Sequence, residues 1–239
     1  MQAESQKNLK KVYKILLEYY GEPEWWPVQF AEKYNIKKEF EIIAGAVLTQ
    51  NTNWGNAEKA LANFKELLAP EKILQISAAG LAEIIKPAGF FNQKAEYLKN
   101  ISRWLESYNF DVERIKRGDL FKLRRELLAL KGIGEETADA VLLYAFDFCT
   151  FVVDAYTKRL ISRLFDESEL GFEDYKYGTV KQFFELNLPR DARVYNNFHA
   201  LIIINAKAHC RKTPVCAGCP LGDICEFNKK EDILWKKKL

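Results

Sequence analysis

Apolar positions recur along this chain with a helical period almost from end to end. Leu9, Val12, Tyr13, Leu16 and Tyr20 fall at i, i+3, i+4, i+7 and i+11, with Gly21 placed as a C-cap. Glu41 to Gln50 (EIIAGAVLTQ) is apolar nearly all round, which predicts a central, buried helix. After NTN comes a stripe of Trp54, Ala57, Leu61, Phe64 and Leu68, predicted to run until Pro70 stops it. Shorter helices are expected over 79–85, 93–108 and 119–130. No run of six or more residues alternates apolar and polar between turn signals, so almost no sheet is expected. The fold class predicted is all-α. Repeats, low-complexity tracts and Gly/Ser linkers are missing, so any domain boundary must be a packing boundary.

Composition changes this picture little. The chain has 239 residues, 48% hydrophobic and 29% charged, with 12 Gly and 7 Pro, as expected of one or two globular domains. A net charge of +3 is too mild to demand a polyanionic partner, although 36 Lys and Arg leave room for a basic face. The start, MQAESQKNLKK, lacks the apolar core of a signal peptide. No apolar run approaches the roughly 18 residues of a membrane span. A soluble, cytoplasmic protein without membrane partners is therefore expected.

Candidate chemistry begins at LLALKGIGEETADAVLLYAF, residues 127–146. One helix ends in Leu127, Leu128 and Leu130, the chain turns through Gly132-Ile133-Gly134, and a second helix opens at Glu135 with Ala138, Val141, Leu142 and Ala145 on one face. Two glycines permit a tight turn whose amide N–H groups face outward at a helix N-terminus, a natural seat for a phosphate, while Ile133 plugs the hairpin into the core. The same residues would also make a plain helical corner with a glycine cap.

Cys210, Cys216, Cys219 and Cys225 follow a C-x5-C-x2-C-x5-C pattern within sixteen residues. In a reducing compartment four such thiolates indicate a metal site over disulfides. Zinc and iron–sulfur both accept four cysteines, and the single short spacing flanked by longer loops favours iron–sulfur. Cys149, in YAFDFCTFVV, reads as a small buried hydrophobe. Asp154 closes the run Thr150-Phe151-Val152-Val153, some fifteen to twenty residues beyond the glycine turn. A carboxylate there suits a helix N-cap or a paired charge. It equally suits an anion that stabilises an oxocarbenium-like sugar and activates a water.

Together these residues resemble the helix-hairpin-helix DNA glycosylases of the endonuclease III superfamily. LTQ at 48–50, IKPAGFFNQKAEYL at 85–98, LKGIG with its T-A helix, VVD at Asp154 and the four-cysteine loop stand in that family's order over most of the chain. The resemblance implies an all-helical, two-domain glycosylase fold. One domain, over 33–144, is a helical barrel carrying the hairpin at 127–146; the other joins 1–32 to 145–239 and holds a [4Fe-4S] cluster at 210–225. A DNA cleft between them is implied, as is a monomer acting on duplex DNA with a damaged base. Gly132, Ile133 and Gly134 become the DNA-binding turn, Asp154 the catalytic carboxylate, and Gln50 the residue filling the gap left by a flipped nucleotide.

Two departures narrow the resemblance. Bifunctional members carry a Schiff-base lysine where this chain has Glu136, so water must attack unless a neighbour such as Lys131 substitutes. The first cysteine gap is five residues where the usual pattern has six. Trp25-Trp26-Pro27, Gln50-Asn51-Thr52-Asn53-Trp54 and Glu136 are similar to the 3-methyladenine DNA glycosylase III branch. That likeness implies a monofunctional enzyme for alkylated purines, with Trp25, Trp26, Trp54 and Glu136 lining the base pocket, because electron-poor purines stack well on indoles. A glycosylase for oxidised or mismatched pyrimidines, and a non-catalytic sensor of damaged DNA, are the alternatives.

Overall fold

The structure is a computed structural model and describes residues 2–165, 170 and 175–230, with the side chains of residues 2–7 left aside. In chain order its helices are α1 (Gln2–Tyr20), α2 (Ala31–Tyr34), α3 (Lys38–Leu48), α4 (Trp54–Phe64), α5 (Pro70–Gln75), α6 (Ala78–Ile84), α7 (Phe91–Ser107), α8 (Val112–Lys116), α9 (Leu120–Leu128), α10 (Glu135–Ala140), α11 (Ala155–Leu164), α12 (Tyr177–Asn187) and α13 (Ala192–Ala208). Among the described residues there is no strand, in keeping with the missing alternation. None of those helices is long and apolar enough to cross a membrane.

The chain divides into two compact units, Trp26–Phe148 and Met1–Trp25 with Cys149–Leu239. The breaks fall at 25/26 and 148/149, where the sequence suggested 32/33 and 144/145. Trp26 lies with the first unit because its indole packs on α3, 3.1 Å from where a Cβ on Gly45 would stand.

In the hairpin unit α3 is buried from Phe40 to Leu48, as its all-round apolar sequence requires. Even Glu41, 1% exposed, is inside. Its carboxylate accepts the backbone N–H groups of Gln29, Phe30 and Ala31 at 2.7, 3.0 and 2.6 Å, supplying the N-terminal cap that α2 lacks locally. Lys94 on α7 is 1% exposed, and its ammonium donates to the carbonyls of Leu48 and Ala88, both at 2.8 Å, closing the C-terminal end of α3. Burial pulls its pKa down to about 8. One expectation is corrected here. α4 does not run to Pro70: it ends at Phe64 with Lys65 at φ +51°, a 3-10 turn follows, and Pro70 opens α5 as its first residue. Proline's fixed φ suits that first position, and Leu68 is buried by the turn and not by α4.

The second unit packs α1 on α12 and α13, with α11 against α13. Leu9, Val12 and Leu16 are wholly buried, and Gly21 at φ +77° ends α1, as its pattern requires. Around the extended segment before α11 sits an aromatic core: Phe151 stacks on Phe184 at 4.1 Å and meets Tyr195 edge-on at 5.5 Å, while Phe198 meets Tyr13 at 5.2 Å.

Candidate DNA-binding and catalytic sites

The hairpin joins α9 to α10. Gly132 has φ +90°, a left-handed conformation that glycine alone adopts without strain, and a Cβ there would fall 2.1 Å from the Tyr97 ring. Gly134 is extended (φ −88°, ψ −179°), exposed, and a Cβ on it would meet no protein atom within 4 Å. Ile133 is 4% exposed and anchors the turn. The carbonyl of Gly134 accepts the Ala138 N–H at 2.9 Å, while its own N–H has no partner among the described residues. The amide edge at the start of α10 therefore faces outward with glycine-wide clearance, which is what close approach of an anion requires.

Other contacts hold this turn from behind. Arg124 of α9 grips Asp139 of α10 through two bonds of 2.8 and 3.0 Å, and Asp139 is fully buried. Asn100 donates to the Lys131 carbonyl at 3.3 Å. Gln50 donates its amide to the Gly132 carbonyl and to the Thr137 hydroxyl, both at 2.9 Å, so it is tied to the hairpin and not simply solvated. Glu136 stands exposed in the first turn of α10. Lys131 is ion-paired with Glu96 at 3.0 Å on the surface.

The unit also gathers aromatics. Trp26 meets Trp54 edge-on at 5.5 Å and Tyr144 at 5.3 Å, and both tryptophans are part-exposed. Trp25 ends the N-terminal segment of the other unit. A residue the sequence reading passed over is Phe90, 61% exposed and held at φ +47° just before α7. An exposed aromatic in a left-handed conformation is held there against its preference, and such strain concentrates at functional positions. Its signal in the sequence was the Gly89-Phe90-Phe91 corner, where only Phe91 can belong to the helix.

Asp154 lies in the other unit, 9% exposed, as N-cap of α11. Its Oδ1 accepts the Thr157 backbone N–H at 2.7 Å and the Thr157 hydroxyl at 2.9 Å. The capping and the chemical readings are thus compatible, because Oδ2 takes no part in the cap. That oxygen faces Nε2 of His199, 3.7 Å away. His199, on α13, is also absent from the sequence reading. Burial pushes its imidazole pKa down against the opposing pull of Asp154, so it stays neutral at pH 7 and offers the carboxylate no countercharge.

All four tail cysteines are free thiols, half-buried, in the same unit as Asp154. Burial and the neighbouring sulfurs push Cys219 and Cys225 upward, Cys219 feeling Cys225 and Cys210, and Cys225 feeling Cys210 and Cys216. Among the described residues no three His, Cys, Asp or Glu side chains close on a point as a single ion needs. Thiolates that each bind a different iron of a cluster would need no such point. Arg163 Nη1 is a donor for sulfur 3.4 Å from Cys210 Sγ, and the fully buried Asn205 has its amide oxygen 3.9 Å from Cys219 Sγ. Arg159 donates to the Cys210 carbonyl at 2.7 Å, and Arg163 also holds the carbonyls of Arg211 and Lys212. These donors and the four free thiols fit an iron–sulfur cluster better than a lone zinc.

A glycine hairpin with outward amides and a buried helix-capping aspartate define a helix-hairpin-helix protein equipped for work on DNA. Residues 44–176 match the HhH-GPD superfamily of base excision DNA repair proteins, and the chain belongs to that family. A Methanocaldococcus jannaschii protein assigned provisionally to the DNA repair glycosylases is 46% identical over 90% of this chain and 94% of its own. Endonuclease III of Sulfolobus acidocaldarius is 30% identical over 79% of this chain and 82% of its own. Among solved structures, the H. pylori 3-methyladenine DNA glycosylase bound to 1,N6-ethenoadenine superimposes with a TM-score of 0.67 at 31% identity, covering 85% of this chain and 97% of that one.

Proposed function

We propose that this chain is a monofunctional glycosylase that hydrolyses alkylated purines such as 3-methyladenine from duplex DNA, acting as a monomer. The observation that carries the reading is Asp154, a buried carboxylate with one oxygen committed to its helix cap and the other facing a neutral imidazole. As the C1′–N bond breaks, its electron pair leaves with the base and positive charge gathers on the sugar, which a fixed anion stabilises. Water adds its oxygen to C1′ and gives up a proton to the Asp154 carboxylate. The hairpin amides hold a phosphate without reading sequence. Trp26 and Trp54 supply ring faces for an electron-poor purine once it leaves the stack, with Trp25 and Glu136 as the remaining pocket candidates. Gln50 and Phe90 are the residues suited to fill the vacated stack.

Glu136 supports hydrolysis without strand cleavage, since a carboxylate forms no Schiff base. The likeness to a glycosylase holding an alkylated adenine supports the purine assignment. A [4Fe-4S] cluster on Cys210, Cys216, Cys219 and Cys225 is part of the proposal. When bound, it would supply a staple for the loop and a one-electron redox centre.

Incubation with methylated duplex, with released bases identified by mass spectrometry and borohydride added to a parallel sample, tests the function. Free 3-methyladenine with no trapped adduct is expected. The likeness to an endonuclease III favours a second reading, an endonuclease III-like excision of oxidised or mismatched pyrimidines. Release of those bases with efficient trapping would establish it in place of the first.

A further inference from the structure

Asn205 is the last-but-three residue of α13 and lies at the mouth of the cysteine loop. Its backbone carbonyl accepts the N–H groups of His209 at 2.8 Å and Cys210 at 3.1 Å, so it starts the loop. Its side chain is completely buried. Oδ1 accepts the Tyr20 hydroxyl at 3.1 Å and lies 3.9 Å from Cys219 Sγ, while Nδ2, buried as well, has no partner among the described residues. An orphaned buried donor costs about 1–3 kcal/mol and calls for an explanation.

The arrangement fits a protonated Cys219, whose S–H points at the amide oxygen. A ligated cysteine is a thiolate, with no proton to give, and an amide oxygen beside it would set two acceptors face to face. Half a turn of the amide group removes the conflict at no steric cost, since its oxygen and nitrogen are nearly the same size. The nitrogen then occupies the position between Cys219 and Tyr20 and donates one N–H to each, the Tyr20 oxygen accepting. One amide atom remains unpartnered in either orientation, so the gain is the replacement of a weak S–H···O contact by a charge-assisted N–H···S bond.

We infer that Asn205, steadied by Tyr20, donates a hydrogen bond to the Cys219 thiolate of the cluster-bound protein and so raises the reduction potential of the cluster. This rests on the cluster assignment above. A donor withdraws charge from the ligand sulfur and favours the more electron-rich cluster, as hydrogen bonds to cluster sulfurs do generally. Asn205 is a positioning and tuning residue and takes no part in base removal.

The test is film voltammetry of the full-length, iron-loaded protein, with iron content and the absorbance near 400 nm measured alongside. Asn205→Leu, which keeps the volume and loses the donor, should shift the potential negative with iron content unchanged. Tyr20→Phe should give a smaller shift of the same sign. An unchanged potential in a fully loaded Asn205→Leu protein overturns the inference. Wild-type protein that binds no iron overturns the cluster assignment instead, which keeps the two failures distinct. Should the leucine variant fail to load, the fully loaded Tyr20→Phe protein decides: a negative shift of its potential supports the inference, and a potential unchanged from wild type overturns it.

Discussion

Substituting alanine at each hairpin glycine separates folding from DNA binding. At Gly132 an added Cβ meets Tyr97 Cδ1, Cγ and Cε1 at 2.1, 2.2 and 2.3 Å, so the whole ring must move, and the backbone must hold φ +90° with a side chain attached. Strain of about 1–3 kcal/mol and overpacking of about the same size give a loss of roughly 2–6 kcal/mol. At about 2–4 °C per kcal/mol for a chain of this length, Tm should fall by roughly 4–24 °C. At Gly134 the backbone is already extended and a Cβ meets nothing, so the weaker cap and the stiffer unfolded chain nearly offset each other. Gly134→Ala should leave the stability within about 1 kcal/mol of wild type, a Tm change of at most about 4 °C. It should nevertheless obstruct a phosphate seated on the amides. Losing one charge-assisted bond of about 1.5–3 kcal/mol weakens binding roughly 10- to 150-fold. Fluorescence anisotropy with damaged and undamaged duplexes over a salt series reads this. The loss should be equal for both duplexes, because phosphate contacts carry no sequence information. Wild-type affinity in a folded Gly134→Ala protein would refute the phosphate seat and reduce the hairpin to a helical corner.

Asp154→Asn retains an N-cap oxygen for Thr157, so Tm should hold while base release falls by about 100-fold or more; comparable release would remove Asp154 from the chemistry. Phe90→Gly relieves the φ of +47° and should not lower Tm, yet base release from duplex should drop if the ring wedges the vacated stack, and unchanged release would dismiss the wedge. Arg124→Met removes the two-point grip on the buried Asp139 carboxylate and should cost about 3–5 kcal/mol, read by urea denaturation; a loss under 1 kcal/mol would show that the pair adds little to stability. Lys94 gives a pH signature: its folded pKa of about 8 lies below its ordinary 10.5, so its contribution is full above the latter and lost as pH falls through the former. Stability should therefore rise from pH 8 toward 10, by at most about 3 kcal/mol. Above that the trend reverses, because Tyr20 and Tyr108, raised to about 12, lose their contribution as pH climbs. A flat profile in wild type, or the same rise in Lys94→Met, would contradict this.

What could be read from the sequence depended on whether a residue's role was local. α1, α3 and the hairpin announced themselves because their apolar spacing and glycines act within a few turns of chain. The end of α4 did not, since Leu68 continues the stripe by position while Lys65 has already turned the backbone aside at φ +51°. α13 carries Asn197, His199 and Asn205 among its buried residues, so its inner face looks interrupted in a pattern of apolar positions, although each of those polar groups is inside. Lys94 misleads in the same way, a lysine in a polar-looking segment that is buried because carbonyls from Leu48 and Ala88 meet its ammonium. Asp154 was legible as a cap candidate, from its place at the edge of the apolar run 150–153, whereas the imidazole facing its free oxygen is 45 residues further along the chain. The polar residues that spoil the helical pattern are thus ones the fold has buried against particular groups: Lys94 against the Leu48 and Ala88 carbonyls, His199 against Asp154, and Asn205 against Tyr20 and Cys219. Interrupted stripes in a family of helical enzymes are for this reason better places to seek function than the stripes themselves.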